Sequence, residues 1–422
     1  MKIIQVVHQY LPKYVGGTEI YVNLLAKGLT ERGHELVVFC GGDSDGRQEY
    51  QGVPVVSVPG GLRGPRGVAG NFLTAFSNPG AERAFRELCQ EERPDVVHFH
   101  HVLGLSSRLV AIARELGVPT VYTLHDYWFV CPNGQLFTEY GHPCDGPVLG
   151  VNCGVCAALR LGAAPLALLA PAAAPVFILR QRFMREAVSA SDLILAPSQF
   201  MLDTAVKSGL PQSKLRLLSL GIEKPVVTDL RPPKDGLMFS YIGSIARTKG
   251  VHVLVEAFNR VADTRAELRI YGDTGAYPEY SQGLRRMASN PKIKFMGPLS
   301  RDRLGEALGN TDALIVPSLW YENYPLVVQE AFAAGVPVIA SNSGSLAHLV
   351  QDGVNWLLFE TGKPRDLEAK IRLLVANPRL IDDLRCNTPL VKGVKDHIME
   401  LEETYFALVA GTPGKAGKVG QS

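Results

Sequence analysis

The chain has 422 residues, 46% of them hydrophobic and 20% charged, which describes a soluble chain large enough for two or three packed cores, with two domains as the expectation. Its 43 Lys and Arg against 41 Asp and Glu leave a formal net charge of +2, so nothing global in its electrostatics points to nucleic acid, although a local basic patch is compatible with that balance. The opening MKIIQVV carries one lysine and a β-branched run too short for a signal-peptide core, with no small-residue cleavage site; it reads as a first buried strand. Seven cysteines without a secretion signal place the chain in a reducing compartment, the cytoplasm by default.

In chain order, β-rich runs alternate with helical stretches: IIQVV (3–7), a helix near 18–32, ELVVFC (35–40), VPVVSV (53–58), a helix near 79–92, DVVHFH (95–100), VPTVYTLH (118–125), DLILAPS (192–198) and KLRLLSLG (214–221). That alternation predicts an α/β domain with a parallel sheet. The Pro-rich and charged EKPVVTDLRPPKDG (223–236) reads as a linker. The pattern then restarts with LMFSYIG (237–243), a helix near 249–262, ELRIYGD (267–273), KIKFMG (292–297), DALIVPS (312–318), a helix at about 325–334 and PVIAS (337–341). The expected organisation is an N-terminal domain over 1–225, a C-terminal domain over 236–395, a terminal helix over 396–410 and a disordered tail over 411–422. Ligands of open parallel sheets gather at the carboxyl ends of the strands, and two such domains in series predict a small molecule held in a cleft between them.

No G-x-G-x-x-G occurs, and neither Gly-Lys pair is followed by Ser or Thr, which removes the main support for dehydrogenase and P-loop readings. Gly16 and Gly17 precede a helix, where N–H groups suit a diphosphate; a tight loop capped by Thr18 accounts for them equally well. In YIGSIARTKG, Gly243 ends a strand and Arg247 and Lys249 follow, either as a pair of cations for a diphosphate leaving group or as solvated loop residues. In YENYPLVVQE, Pro325 suits a helix start, so Glu322 stands on the loop before it and Glu330 on the helix. The free N–H groups of Leu326 and Val327 make a phosphate seat, flanked by carboxylates that accept ribose and sugar hydroxyls.

Together, GGTE…GHEL, VVHFHH, TLHDYW, YIGSIARTKG, VPSLWYENYPLVVQEAFAAGVPVIAS and VQDGVNWLLFE resemble the family-4 retaining glycosyltransferases of the GT-B fold over most of residues 1–400. The resemblance implies two Rossmann-like doubly wound domains facing a cleft, with the C-terminal helix returning to the N-domain. It implies catalytic roles for His125, near the reacting carbon, and for Glu322, holding the donor sugar, with Glu330 on the ribose and Lys249 on the diphosphate. Gly16, Gly17, Gly243, Ser244, Arg247, Asn323, Tyr324, Pro325, Leu326 and Val327 complete the expected donor site. Ser244 stands where many members have Arg, so Arg247 is the substitute cation, and Pro325 replaces a common Gly and removes one N–H donor. The implied activity is hexosyl-type transfer from a nucleoside diphosphate sugar to a hydroxyl acceptor in surface polysaccharide or glycolipid assembly, with no cofactor for catalysis. The alternative is a non-catalytic nucleotide-sugar or glycan-binding protein of the same fold; an isomerase of that fold is disfavoured by the E-x7-E context.

Three further features stand beside this. Asp43 and Asp45 form an Asp-x-Asp, the metal signature of a different glycosyltransferase architecture, but in a Gly-rich turn that explains them. His98, His100 and His101 cluster at a strand end without ligand spacing, favouring acceptor-side or structural hydrogen bonding over metal. Cys131, Cys144, Cys153 and Cys156 lie in a Gly/Pro-rich insertion over 131–156, read as a structural zinc site with free thiols and disulfides as the alternatives. Residues 161–179 carry no charge and are flanked by Arg160, Arg180, Arg182 and Arg185. They are long enough to span a membrane but are interrupted by Pro165, Pro171 and Pro175, so the readings are a surface insertion at the inner face of the membrane or an ordinary hairpin. Membrane contact would suit a lipid-linked acceptor.

Overall fold

The computed structural model describes residues 1–60, 72–227, 236–261, 265–349 and 351–411. Most of the expected linker (228–235) and the expected tail from 412 onward lie outside the described residues. The chain divides into two compact units: Met1–Glu139, Asp145–Gly221 and the chain from Val394 form one, and Tyr140–Cys144 with Ile222–Gly393 form the other.

The first unit is built on eight strands: β1 (Lys2–Val7), β2 (Glu35–Gly42), β3 (Gly46–Tyr50), β4 (Val53–Pro59), β5 (Val96–Phe99), β6 (Thr120–Thr123), β7 (Leu193–Ala196) and β8 (Leu215–Leu217). They lie in the order β3-β4-β2-β1-β5-β6-β7-β8, parallel throughout except where β3 runs antiparallel to β4. Helices cover both faces of such a sheet, so its strands read as continuous apolar runs; in β1, Ile3, Ile4, Val6 and Val7 are all fully buried. β3 (GRQEY) is an exposed, charged edge and lacks that signature, which is why the sequence pattern misses it. The helix Pro79–Glu92 starts with Asn78 accepting from the Ala81 N–H and proline in its first turn.

The last helix, Val394–Val409, belongs to this first unit, as the fold class anticipates. It packs along the helix Gly17–Glu31, where a Cβ on Gly28 would lie 2.0 Å from Ile398 Cδ1. The Tyr21 hydroxyl and His397 Nε2 lie 2.7 Å apart, Arg32 Nε donates to Glu402 at 2.9 Å, and the hydroxyl of the fully buried Tyr405 meets His98 at 2.6 Å.

The second unit has six parallel strands: β9 (Leu237–Ile242), β10 (Ala266–Tyr271), β11 (Ile293–Gly297), β12 (Ala313–Val316), β13 (Val338–Ser341) and β14 (Trp356–Phe359), in the order β11-β10-β9-β12-β13-β14. Its core under the helix Leu326–Ala333 includes Leu314, Val316, Val328, Phe332, Leu346 and Trp356. The strand order reverses between β9 and β12 here and between β1 and β5 in the first unit, the places where open α/β sheets bind ligands.

The uncharged segment differs from its expectation in one respect. Pro165 lies in the first turn of a 3-10 helix, Ala164–Leu169, and Pro171 in the first turn of the helix Ala170–Ser189, where a missing N–H costs nothing. Pro175 is accommodated inside that helix. The prolines therefore do not break it.

Candidate functional site

Glu322 follows β12 and Lys249 follows β9, so the sheet's reversal brings them together: Lys249 Nζ donates to Glu322 Oε1 at 2.7 Å, and Ser318 Oγ donates to the same oxygen at 2.6 Å. Glu322 is 4% exposed. Burial pushes its carboxyl up, but the Lys249 charge and side-chain hydrogen bonds from Lys249, Ser318 and Trp320 outweigh that and hold it below the usual carboxylate range. Lys249 also lies 4.9 Å from the centre of the Trp320 ring. Gly250 makes the approach feasible. Its φ is +67°, and a Cβ would lie 1.8 Å from the Pro317 carbonyl oxygen, so this turn admits only glycine without rearrangement. The Leu319 N–H donates to the Thr248 oxygen at 2.8 Å, joining the two loops.

Between the two glutamates the helix begins at Leu326, with Pro325 as the residue before its first turn rather than within it. The Val328 N–H closes onto the Pro325 carbonyl at 3.1 Å, which leaves the N–H groups of Leu326 and Val327 at the open end of the helix. Glu330, also 4% exposed, is ion-paired with Arg301, on a 3-10 turn after β11. Sequence reasoning missed Arg301 and Ser318; the SRDR at 300–303, separated by two residues from the strand-end Gly297, was the available signal for the first. Among the other expected donor residues, Asn323 is buried, Tyr324 half-buried, and Gly243 closes a turn in which Tyr241 donates to the Ser244 carbonyl at 2.7 Å. Ser244 and Arg247 are exposed. Arg247 lies toward His252, whose imidazole is held below its usual range by burial and then by that guanidinium.

In the first unit a histidine network occupies the carboxyl ends of β1, β5 and β6. His125 Nε2 and His100 Nδ1 are 3.1 Å apart, and His101 Nε2 lies 2.8 Å from Asp126 Oδ2. His98 is wedged between Thr123 and Tyr405 at 2.7 and 2.6 Å, and its ring centre lies 4.0 Å from that of His100. Burial holds His8, His98, His100 and His125 well below the usual imidazole range; for His125 it prevails over the opposing pull of Asp126. Each of the three strand-end histidines thus makes at least one hydrogen bond to the protein itself.

One expectation changes, and the Gly16–Gly17 loop has a carboxylate neighbour of its own. At Gly16 and Gly17 the helix entrance is taken by the chain's own Glu19: a Cβ on Gly16 would sit 2.5 Å from Glu19 Oε2, and Gln9 Nε2 donates to Oε1 at 3.0 Å. An anion seated there would meet that carboxylate. Among the described residues no group of three or more His, Cys, Asp or Glu is placed to hold a metal, so Cys131, Cys144, Cys153 and Cys156 are not assembled as the expected zinc site. Cys153 and Cys156 share one helix, Val151–Arg160, Cys131 closes a turn onto the Tyr127 carbonyl, and Cys144 belongs to the other unit. Asp43 pairs with Lys13 and accepts from Tyr14 O–H at 3.2 Å.

Comparison with known proteins places these arrangements in a family. A model described as Glycosyl transferases group 1 matches residues 227–390, and one described as Glycosyltransferase Family 4 matches residues 15–224. The chain is 26% identical over 406 residues to a D-inositol 3-phosphate glycosyltransferase of Nocardioides sp., covering 87% of this chain and 80% of the relative. In fold it is similar to a sucrose-phosphate synthase from Thermosynechococcus elongatus, with TM-score 0.72, 20% identity and coverage of 97% and 100% of the two chains. It is also similar to Anabaena HepE, solved in complex with UDP-glucose, with TM-score 0.65, 17% identity and coverage of 96% and 100%.

Proposed function

Since the chain belongs to the family-4 glycosyltransferases of the GT-B fold and is a nucleotide-sugar-dependent enzyme, we infer that it retains anomeric configuration. We further infer that it transfers a sugar from a nucleoside diphosphate sugar to a hydroxyl acceptor of a surface polysaccharide or glycolipid. The observation that carries this reading is the buried Lys249–Glu322 pair beside the open end of the helix Leu326–Ala333. Lys249 and Ser318 both donate to Glu322 Oε1, and in this reading the carboxylate accepts from the donor sugar's hydroxyls. The helix N–H groups and Lys249 face the diphosphate, where negative charge grows as the bond from the anomeric carbon to the phosphate oxygen breaks; fixed positive charge is most effective there. Glu330, oriented by Arg301, accepts from the ribose. In this reading the first unit serves the acceptor and contributes His125, held in one orientation by His100. HepE, solved with UDP-glucose, supports a nucleotide-sugar donor.

The test is release of nucleoside diphosphate from a panel of nucleotide sugars with hydroxyl acceptors, and product configuration by NMR. Lys249→Ala is expected to lower kcat/KM by about 10²–10³-fold, the usual effect of removing one transition-state charge partner. Unchanged turnover in Lys249→Ala and Glu322→Ala would sink the assignment, and an inverted product would remove retention.

A further inference from the structure

At the carboxyl ends of the first unit's strands one carboxylate stays partly open. Asp126 lies three residues beyond β6 and next in the chain to His125, and 31% of its side chain is exposed. Glu19, at the start of the helix after β1, is 2% exposed and already takes the Gln9 amide. Both oxygens of Asp126 are held from the protein side. Oδ1 accepts the Trp128 N–H at 2.9 Å, and Oδ2 lies 2.8 Å from His101 Nε2. The direction of the second bond follows from the other ring nitrogen: the Leu103 N–H donates to His101 Nδ1 at 3.0 Å, so Nδ1 carries no proton and Nε2 is the donor to Asp126. Trp128 is itself fixed, since Arg180 lies 4.2 Å over its ring and donates to its carbonyl at 3.1 Å. Desolvation pushes the Asp126 carboxyl up, but His101, the Trp128 N–H and His125 outweigh it and hold the group below its usual range. Among the described residues no lysine or arginine is ion-paired with it.

Gly134 keeps one side of this carboxylate clear. Its φ is +69°, and a Cβ there would lie 3.0 Å from Oδ2, while its carbonyl accepts the Tyr127 N–H at 3.0 Å. A turn needs only Oδ1, through the bond an aspartate ordinarily makes to the N–H two residues on. The tautomer-fixed imidazole on Oδ2 and the glycine beside it add nothing to that turn; they set the direction of a charge. Of about four acceptor positions on a carboxylate, the protein fills two. We propose that Asp126 is an acceptor-binding residue of the first unit, accepting a hydroxyl hydrogen of the incoming acceptor beside His125, with His101 as its positioning residue. The substrate class follows from the sign. An aligned carboxylate with no cation on it favours a neutral, hydroxyl-rich acceptor sugar and repels one that carries phosphate or carboxylate at that end. The assignment rests on the sugar-transfer reading and deepens it by naming the acceptor's charge.

The test compares nucleoside diphosphate release from the nucleotide sugar that stabilises the chain most, with methyl glucoside, methyl galactoside and methyl mannoside as neutral acceptors and glucose 6-phosphate and mannose 6-phosphate as anionic ones. The wild type is expected to use the neutral sugars at least about tenfold better. Asp126→Asn keeps an oxygen for the Trp128 N–H; it is expected to lower kcat/KM for neutral acceptors about 10–100-fold, the range for one hydrogen bond to a charged group. It should also narrow the gap between neutral and phosphorylated sugars and leave thermal stabilisation by the donor unchanged. Gly134→Ala retains the charge and lays a methyl against it, and is expected to raise acceptor KM with donor binding unchanged. His101→Gln, which still carries an N–H donor, is expected to keep more of the neutral-acceptor rate than His101→Ala. An equal loss with every acceptor would make Asp126 a turn residue and overturn the proposal, as would a wild type that prefers the phosphates, or acceptor kinetics unchanged in Asp126→Asn and Gly134→Ala. Donor binding without release for any sugar would instead remove the transfer reading, and this assignment with it.

Discussion

At the scale of single residues, the second unit pairs two buried glutamates with cations, Glu322 with Lys249 and Glu330 with Arg301. Removing one partner of a buried pair is costly because the other is left charged and dry, typically by about 3–5 kcal/mol. Lys249 is partly exposed and Ser318 still donates to Glu322, so Lys249→Ala is expected to lose about 2–3 kcal/mol at neutral pH. The sign of its pH dependence follows from the direction of the shift. Glu322 is depressed on folding, so its contribution is complete above the unfolded carboxylate value and disappears as pH falls through the lower folded value. Urea melts should therefore show the gap between wild type and Lys249→Ala closing below about pH 4; a gap constant down to acid pH would mean that Glu322 is not charged in the fold. Arg301 is nearly half exposed, so Arg301→Ala should cost only about 1 kcal/mol. If Glu330 holds the ribose, the same variant raises donor KM while kcat stays within a few-fold. Steady-state kinetics with varied donor decide it, and an unchanged KM would release Glu330 from the ribose.

At the scale of elements, the parts legible in the sequence were those written as runs. β1, β2, β9 and β12 are largely apolar stretches, interrupted only by Gln5 in β1 and Ser240 in β9, and the E-x7-E pair flanks a helix start because proline and a buried AFAAG context say so. What was not legible depended on long-range contact. Glu19 closing over Gly16 requires Gln9 and a helix entrance to meet, and nothing in GGTE distinguishes a carboxylate seat from a diphosphate seat. Likewise four cysteines in 26 residues satisfy a spacing rule, yet two of them stand on one helix and a third belongs to the other unit. The helix containing Pro175 was hidden by a rule about interiors that local packing overrides. Gly250 shows the opposite case, an element-level constraint with one answer: at φ +67° with carbonyl oxygen 1.8 Å from any added Cβ, Gly250→Ala must separate the loops after β9 and β12. It is expected to lose about 2 kcal/mol or more, and to lose activity beyond that because Lys249 is adjacent. Denaturant melts and kcat/KM on one preparation test this; activity preserved at reduced stability would show that the pair tolerates the displacement.

At the scale of the whole molecule, the first unit is assembled from the two ends of the chain, and its histidines are sealed by the last helix. Such long-range closure delays completion of the unit until the final segment is made. It also gives the fold a common sensitivity to acid. In the unfolded chain His8, His98, His100 and His125 titrate near 6.5; in the fold, burial depresses each of them. Between those values the unfolded state binds more protons, so stability is complete above about pH 6.5 and falls as pH decreases toward the folded values. Each imidazole that differs fully contributes about 1.4 kcal/mol per pH unit. Glu19 works in the opposite sense, since burial raises its carboxyl, and offsets at most one proton where the windows overlap. Net uptake of about three protons on unfolding near pH 5.5 is therefore expected, measured as the slope of unfolding free energy against pH. His100→Gln should reduce that uptake by about one. Tyr405→Phe removes the hydroxyl that meets His98 Nδ1 at 2.6 Å and should cost about 1–3 kcal/mol at pH 7.5 by leaving a buried polar atom unpaired. If the slope were flat from pH 7.5 to 5.5, the histidines would be charged or hydrated in the fold, and the terminal helix would not be what keeps them dry.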